Sequence, residues 1–508
     1  MEVAQQTLDC DVLIIGGGIN GAGIARDAAG RGLSVVLCEK DDLASHTSSA
    51  STKLIHGGLR YLEHYEFGLV RKALIEREVL LRAAPHIMWP MRFVMPHDQG
   101  QRPAWMIRAG LWVYDFLAKR ELLPGSGSIN LRTHPAGQSL KPEFTKGFIY
   151  SDGWVDDARL VVLNAMDAAE HGATILTHTR CETASRVQDQ WQATLRNENG
   201  QTTQVHARSL VNAAGPWATQ FLQDAAHRPS SKALRLIKGS HIVVKQLFDH
   251  PFAYIFQNPD GRIVFAINYE QDFTLIGTTD VEYHGDTNKV EIDASEITYL
   301  CELTQRYFKK SLTPTDVVWS YSGVRPLLED DSANASEITR DYKLDLEGET
   351  APLLSVFGGK ITTFRKLAEE AVDLLAPKLG NHRGNWTEHA CLPGGDLYGK
   401  QPQNKSVREY EGFVYQLHNE FNWLPAKLIS RYARAYGTRT RKLLVGRHTL
   451  ADMGEELAPN LYAAELEYLL KNEWAHNSAD ILWRRSKLGL HVPANTAHKI
   501  DRWIENRK

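Results

Sequence analysis

At 508 residues the chain is too long for a single core and predicts about three domains. Its 43% hydrophobic and 23% charged residues are those of an ordinary soluble protein. Its 58 basic and 61 acidic side chains give a net charge of −3, which excludes a global basic field directed at nucleic acid.

The stretch CDVLIIGGGINGAGIARDAAGRGLSVVLCEK, Cys10 to Lys40, organises the rest. The apolar run Val12 to Ile15 reads as a buried parallel strand that stops at Gly16-Gly17-Gly18. Gly16, Gly18 and Gly21 satisfy G-x-G-x-x-G, the pattern in which a tight turn lets a pyrophosphate reach the backbone and the next helix N-terminus. Ile19 and Asn20 lie inside that turn. A second strand, Ser34 to Cys38, ends at Glu39-Lys40. An acid at Glu39 accepts ribose hydroxyls and repels a 2′-phosphate, so the expected ligand is FAD or NAD rather than NADP.

The loop from Ser45 carries Thr47, Ser48, Ser49, Ser51 and Thr52, whose hydroxyls suit ribityl and pyrophosphate oxygens; by composition it reads equally as a solvated surface loop. Lys53 and Leu54 lead to His56-Gly57-Gly58, where the backbone can approach a ligand, and Arg60 and Tyr61 follow directly. Residues 102–120, RPAWMIRAGLWVYDFLAKR, are too short to span a membrane. They read first as a buried core helix and alternatively as an interfacial helix with aromatic anchors and basic flanks.

Further on, Asp156 to His171 is expected as a helix and Ala173 to Thr179 as a strand; Trp191 to Leu195 and Gln204 to Ala207 flank the turn residues Asn197 and Gly200 as in a β-meander, and Cys181 is an expected cofactor-binding residue. Ser209 to Ala213 reads as a buried strand ending in Ala214-Gly215-Pro216-Trp217, a second small-residue turn able to pass beneath the same dinucleotide. Residues 234–281 alternate as strands of an antiparallel sheet, joined by VVWSYSGVRPL with Gly323 and Arg325. The strand Leu353 to Phe357 breaks at Gly358-Gly359, before a helix opened by Lys360, Ile361 and Thr362.

The hydroxyl loop and the second glycine turn suit the longer FAD better than NAD, and the expected fold class is α/β: a Rossmann-like FAD-binding domain, an antiparallel-sheet substrate domain and a C-terminal all-α domain. Residues 1–385 form the oxidoreductase region, with FAD-binding segments near 8–80, 150–232 and 350–385 and substrate segments near 81–149 and 233–349. A linker at 386–405 leads to a helical part at 406–508, where Trp423, Trp474, Trp483 and Trp503 read as core or docking residues. Five dispersed cysteines without a C-x-x-C pair argue for a reducing compartment and against a structural metal. The acidic start lacks an apolar core, so the expectation is a cytoplasmic chain or one bound to a membrane from that side.

TSSASTKLIHGGLRYLEHYEF, LVNAAGPW, LIKGSHIVV, IGTTDVEY, YSGVRPL, ITRDY and LLSVFGGKITTFRKLAE occur in order with the first unit. Together they resemble the FAD-dependent, respiratory glycerol-3-phosphate dehydrogenases, within the flavoprotein group that includes D-amino-acid oxidase and glycine oxidase. The resemblance spans nearly the whole chain. It implies FAD as cofactor, oxidation of sn-glycerol 3-phosphate to dihydroxyacetone phosphate, transfer of electrons to membrane quinone, peripheral attachment at the cytoplasmic face of the inner membrane, and a homodimer. The helix from Lys360 to Leu375, with Lys360, Arg365 and Lys366, is a second candidate lipid-facing surface.

Oxidation of a secondary alcohol by flavin needs near-attack geometry, an acceptor for the hydroxyl proton, stabilisation of the reduced flavin and a clamp for the phosphate. Arg325 and Arg340, in Gly-Val-Arg-Pro and Ile-Thr-Arg-Asp, are the expected clamp. Arg60 and Tyr61 are placed at the glycerol hydroxyls or phosphate. Lys360 is placed beside the flavin as a charge or as a base, with His56 and His241 as other bases. Competing readings are an oxidase using O2 on a glycerophosphate or an amino acid, and a non-catalytic FAD-binding membrane scaffold.

Overall fold

The protein is described by a computed structural model covering residues 6–98, 100–229, 232–258, 261–328 and 341–507. Arg340, half of the expected phosphate clamp, lies outside the described residues.

The central sheet is built on the strand Gln6–Ile15, which pairs in parallel with Val35–Cys38 on one side and Thr202–Asn212 on the other. Leu353–Phe357 and Thr174–Leu176 extend it in parallel at either side. Parallel strands covered on both faces read as continuous apolar runs, and Val35–Cys38 and Leu353–Phe357 are buried throughout. Helix Ile19–Gly30 follows the first strand and packs against helices Asp157–Glu170 and Phe364–Leu375. Gly23 permits that approach, because a Cβ there would lie 2.8 Å from the Phe364 ring.

The segments expected as two strands, Gln204 to Ala207 and Ser209 to Ala213, form one strand, Thr202–Asn212. Its first half pairs with Gln190–Asn197 and its second half with Leu353–Phe357, so one strand serves the meander and the parallel core in turn. Conversely, the single strand expected over 173–179 is two, Thr174–Leu176 and Thr179–Val187, separated by a turn with His178 at φ +50.

The second sheet roofs the first. Leu234–Lys245 pairs antiparallel with Val317–Leu328 along its length, and the strands Ala253–Gln257, Ile263–Tyr269 and Phe273–Gly277 follow as hairpins. The antiparallel expectation needs one amendment, since Ala253–Gln257 runs parallel to Met88–His97. Strands Leu54–Ile55 and Lys146–Val155 also join this sheet, so it reaches into two of the three segments expected to bind the nucleotide.

The C-terminal part is helical around Leu417, Ile429, Tyr432, Leu466, Ile481 and Ile500. It includes a short hairpin, Glu456–Ala458 with Leu461–Tyr462, that the sequence did not signal. Residues 386–405 are packed rather than free: Leu392 donates its N–H to Ala83 O (2.9 Å), and the Trp386 indole lies where a Cβ on Gly30 would be. Trp483 stacks on Trp319 of the roof sheet at 4.5 Å. Among the described residues no helix is long and apolar enough to cross a membrane.

Buried ion pairs tie the helical part to the nucleotide unit. Arg485, fully buried, grips both Asp42 oxygens at 2.5 and 2.7 Å, and Arg484 adds a contact at 2.6 Å. Arg159 makes a similar bidentate pair with Glu473. Burial pushes the Asp42 pKa up, but Arg485 and Arg484 outweigh it and hold the carboxyl below its ordinary value. A depressed carboxylate stabilises the fold above pH about 4, and that contribution disappears as pH falls through the native pKa. Replacing one partner strands the other charge in the interior. Arg485→Met is expected to lower stability by about 3 kcal/mol at neutral pH, with a smaller difference from wild type below pH about 4; thermal unfolding checks this, and an unchanged Tm at pH 7 would contradict it.

Candidate active site

Two chambers meet end to end between the sheets. The first, of about 580 Å³, runs along the carboxyl ends of the parallel strands, where open α/β sheets bind ligands. The second, of about 290 Å³, lies under the roof sheet. They share Ile19, Thr47, Ser48, Pro326, Gly358 and Gly359, so the two form one elongated slot.

The first chamber is lined by Gly16, Gly18, Asn20, Glu39, Lys40 and Cys181, and on its far side by Ala213, Ala214, Gly215 and Trp217. Glu39 is buried, and its two oxygens accept the Gly17 N–H (2.7 Å) and the Asp41 N–H (2.9 Å). Burial raises its pKa against the pull of those two donors. Lys40 lies over the Trp217 ring at 4.0 Å, and His46 meets the same ring edge-on at 4.6 Å, closing this end with a cation and two rings. His46 also holds the Asp41 carboxyl down to about 2 through its hydrogen bond. Burial pushes the Cys181 thiol up to about 12, so it contributes an inert wall.

At the junction, Ser48 Oγ accepts the Ile19 N–H at 2.9 Å and Thr47 Oγ1 donates to Val324 O at 2.8 Å. The hydroxyl loop is thus docked between the two sheets, and the surface-loop reading fails. Asn20 Nδ2 donates to Gly358 O (3.1 Å), while its buried Oδ1 has no partner among the described residues. The helix N-terminus, whose N-cap Gly18 has no side chain to cap it, is a place for an anion, and the unpartnered Asn20 amide oxygen is an acceptor for a ligand hydroxyl beside it. These features fit a dinucleotide whose pyrophosphate crosses at the junction.

The second chamber brings together His56, Arg60, Tyr61, Arg325 and Lys360, with Ser51, Leu54, Gly323, Ile361 and Thr362 completing the wall. Arg60 and Tyr61 stand in the short helix Leu59–His64, entered through Gly58 at φ +77. Gly57 itself is held back from the chamber, its N–H shared between Tyr114 Oη (2.9 Å) and Asp152 (3.2 Å). Lys360 follows the Gly358–Gly359 turn (φ +74 and +103) and places its ammonium 3.7 Å from the centre of the Tyr61 ring. Arg325 is paired with Asp280 and donates to Thr278 Oγ1 at 3.1 Å, which fixes the guanidinium in the wall with further N–H donors to spare.

Besides Gly57, five expected site residues stand outside the slot. Gly17 and Gly21 pack the turn itself: a Cβ on Gly21 would lie 1.9 Å from Gly16 O. Ser49 returns its hydroxyl to His46 O (3.2 Å). Lys53 is buried beneath the loop, bonded to Asp157 (2.7 Å) and Ser49 O (3.0 Å), and burial lowers its pKa against the attraction of Asp157. His241 is also buried, stacked on Tyr321 at 4.7 Å and bonded through Nε2 to Thr52 Oγ1 at 2.9 Å. Burial, then Arg325 and Lys53, push its pKa well below the usual range, so it backs the chamber as a neutral ring.

Sequence reasoning gave no role to His46, Asp152, Thr278 or Asp280. Asp280 sits within IGTTDVEY, but it is set against Arg325 only because Leu234–Lys245 pairs with Phe273–Gly277 and Val281–Glu282 as well as with Val317–Leu328. Helix Ala104–Phe116 corrects the core-helix expectation. It buries Leu111, Tyr114 and Asp115, whereas Trp105 is 69% exposed, Trp112 56% and Phe116 65%. The alternative lipid surface on Phe364–Leu375 is not one, because Arg365 is buried between Glu76 and Glu369.

A parallel sheet with a glycine-rich turn, a buried acid and a roofed inner chamber defines a dinucleotide-dependent oxidoreductase. Comparison with known proteins narrows this: residues 11–365 match the family described as FAD dependent oxidoreductase, and residues 385–505 match the C-terminal domain of alpha-glycerophosphate oxidase. The chain belongs to this FAD-dependent oxidoreductase family. It is 53% identical to a glycerol-3-phosphate dehydrogenase of Pseudomonas aeruginosa over 498 residues, 98% of this chain and 95% of that one. It is 50% identical to D-erythritol 1-phosphate dehydrogenase of Brucella abortus over 98% of both chains, and 50% identical to the aerobic glycerol-3-phosphate dehydrogenase of Escherichia coli over 97% of both. The crystal structure of glycerol-3-phosphate dehydrogenase from Bacillus halodurans, complexed with FAD, superposes with a TM-score of 0.78 at 27% identity, covering 100% of this chain and 91% of that one.

Proposed function

We propose that the chain oxidises sn-glycerol 3-phosphate to dihydroxyacetone phosphate and passes the electrons to membrane quinone. The observation that carries this reading is the convergence of Arg60, Arg325 and Lys360 on a chamber continuous with the dinucleotide slot. Bound FAD supplies the acceptor for the hydride of the carbinol carbon. Arg325, preset by Asp280 and Thr278, takes the phosphate with its outward N–H groups, and Arg340 is the proposed second arm. Arg60 steadies the developing alkoxide and Tyr61 orients the hydroxyls.

Lys360, seated over the Tyr61 ring, serves as a fixed positive charge at the inner end of the slot. His56, in the same wall, is the acceptor for the hydroxyl proton. The D-erythritol 1-phosphate dehydrogenase among the relatives favours a second reading, a four-carbon polyol phosphate with the same phosphate and adjacent secondary alcohol.

Peripheral attachment at the cytoplasmic face of the inner membrane belongs to the same proposal. Trp105, Met106, Trp112 and Phe116 are exposed on one helix, and Tyr65 and Phe67 are exposed on the neighbouring segment that follows Arg60 and Tyr61. Arg102, Arg108 and Lys119 flank this apolar face, an arrangement suited to the headgroup region. It would set the substrate chamber near a quinone in the bilayer. The homodimer, and the division into an oxidoreductase region at 1–385, a join at 386–405 and a helical part at 406–508, complete the reading.

Arg325→Ala should raise KM for glycerol 3-phosphate by one to two orders of magnitude while FAD content stays near one per chain; equal loss of both would assign Arg325 to folding. The same assay with erythritol phosphate separates the two substrates by kcat/KM. Trp112→Glu with Phe116→Glu should abolish co-sedimentation with anionic liposomes without affecting dye-linked turnover in solution, and undiminished sedimentation would remove this face from the membrane.

A further inference from the structure

Away from the slot, two histidines and a glutamate from different parts of the chain converge where the helical part meets the nucleotide unit. His178 lies in the turn between Thr174–Leu176 and Thr179–Val187, Glu198 in the turn between Gln190–Asn197 and Thr202–Asn212, and His476 after helix Ala463–Glu473. Glu198 Oε2 is 3.6 Å from His178 Nδ1, and Oε1 is 3.7 Å from His476 Nδ1. The two imidazoles stack at 4.4 Å, and one ligand atom from each of the three residues falls within 4.8 Å of the others. Four ligands at about 2.1 Å around a tetrahedral zinc ion stand about 3.4 Å apart; the two measured separations, made by the two different oxygens of Glu198, come near that spacing, and the rings turn out of their stacked arrangement to share one ion.

The surroundings hold these groups in place. Glu198 donates its N–H to His178 O at 3.1 Å, keeping the carboxylate beside the ring. His178 in turn donates its N–H to Asp41 O at 2.8 Å, next to Glu39 of the nucleotide chamber. Asp480 is buried and accepts the His476 N–H at 2.6 Å, while its Oδ2 lies 4.0 Å from His178 Nε2. That nitrogen is buried without a hydrogen-bond partner among the described residues. Asp480 is bonded to the His476 and Asn477 N–H groups and to Arg484 and stops short of that nitrogen, so His178 Nε2 is, among the described residues, an unpartnered ring nitrogen at the cluster. His476 and Glu198 are 40% and 51% exposed, leaving an entry path and room for a water as fourth ligand.

We propose that His178, Glu198 and His476 form a binding site for a divalent transition metal of the zinc type, which clamps the helical part onto the nucleotide unit beside its ribose-binding acid. Imidazole and carboxylate suit Zn2+ or its neighbours rather than Mg2+ or Ca2+, which prefer all-oxygen shells. The site is remote from the substrate chamber, and its role is to hold the domain junction.

The test uses the tag-free, FAD-loaded full chain. Titration with ZnCl2 should show one site per chain, weakened at least tenfold by His476→Ala and by Glu198→Gln, with FAD content and turnover unchanged. Zinc should raise the Tm of the wild type and leave that of His476→Ala unmoved. Absence of saturable binding, equal affinity in both variants, or no zinc-dependent rise in Tm would each overturn the proposal.

Discussion

The structure depends on a single close approach. The turn after the first strand is so tight that a Cβ on Gly16 would sit 2.5 Å from Ala213 O, and one on Gly21 would sit 1.9 Å from Gly16 O. Two parallel strand ends and a helix N-terminus therefore meet at one point. The slot exists because no side chain intervenes between them. Glu39 gains its place from the same contact, through the Gly17 N–H. The hydroxyl loop seals the other side, with Ser48 bonded to the first residue of that helix.

From this point the electrostatics divide along the slot. The outer chamber presents a buried acid and a Lys40–Trp217–His46 group, a polar and aromatic setting for a nucleoside. The inner chamber collects Arg60, Arg325 and Lys360 against Asp280 and Asp152. Each inner cation is seated by the wall or lies beside a residue that is: Arg325 by Asp280, Lys360 by Tyr61, and Arg60 in the segment held by Gly58. Fixed charges of this kind cost little reorganisation when an anion enters, which is what oxidation of a phosphorylated alcohol requires.

Much of this was legible in the sequence, because the nucleotide turn is a local device. Strand, glycines, helix and acid follow within thirty residues, and their spacing specifies their geometry. Gly358–Gly359 and Ala213–Gly215 announced themselves by the same small-residue logic. The misplaced residues depend on long-range packing. Lys53 and Asp157 are about a hundred positions apart, so nothing local shows that the lysine turns away from the ligand. His241 alternates to the covered face of its strand and stacks on Tyr321, a partner set only by sheet register. Helix Ala104–Phe116 looks like core by composition because an interfacial helix and a buried one draw on the same residues; only exposure separates them.

The central claim is that the inner chamber holds the flavin ring against a phosphorylated polyol. Mixing the purified, FAD-loaded protein with glycerol 3-phosphate under strict anaerobiosis tests it most directly, by following flavin absorbance. The account predicts rapid bleaching of the yellow flavin to its reduced form, matched by one equivalent of dihydroxyacetone phosphate. A flavin that stays oxidised with saturating substrate would contradict it.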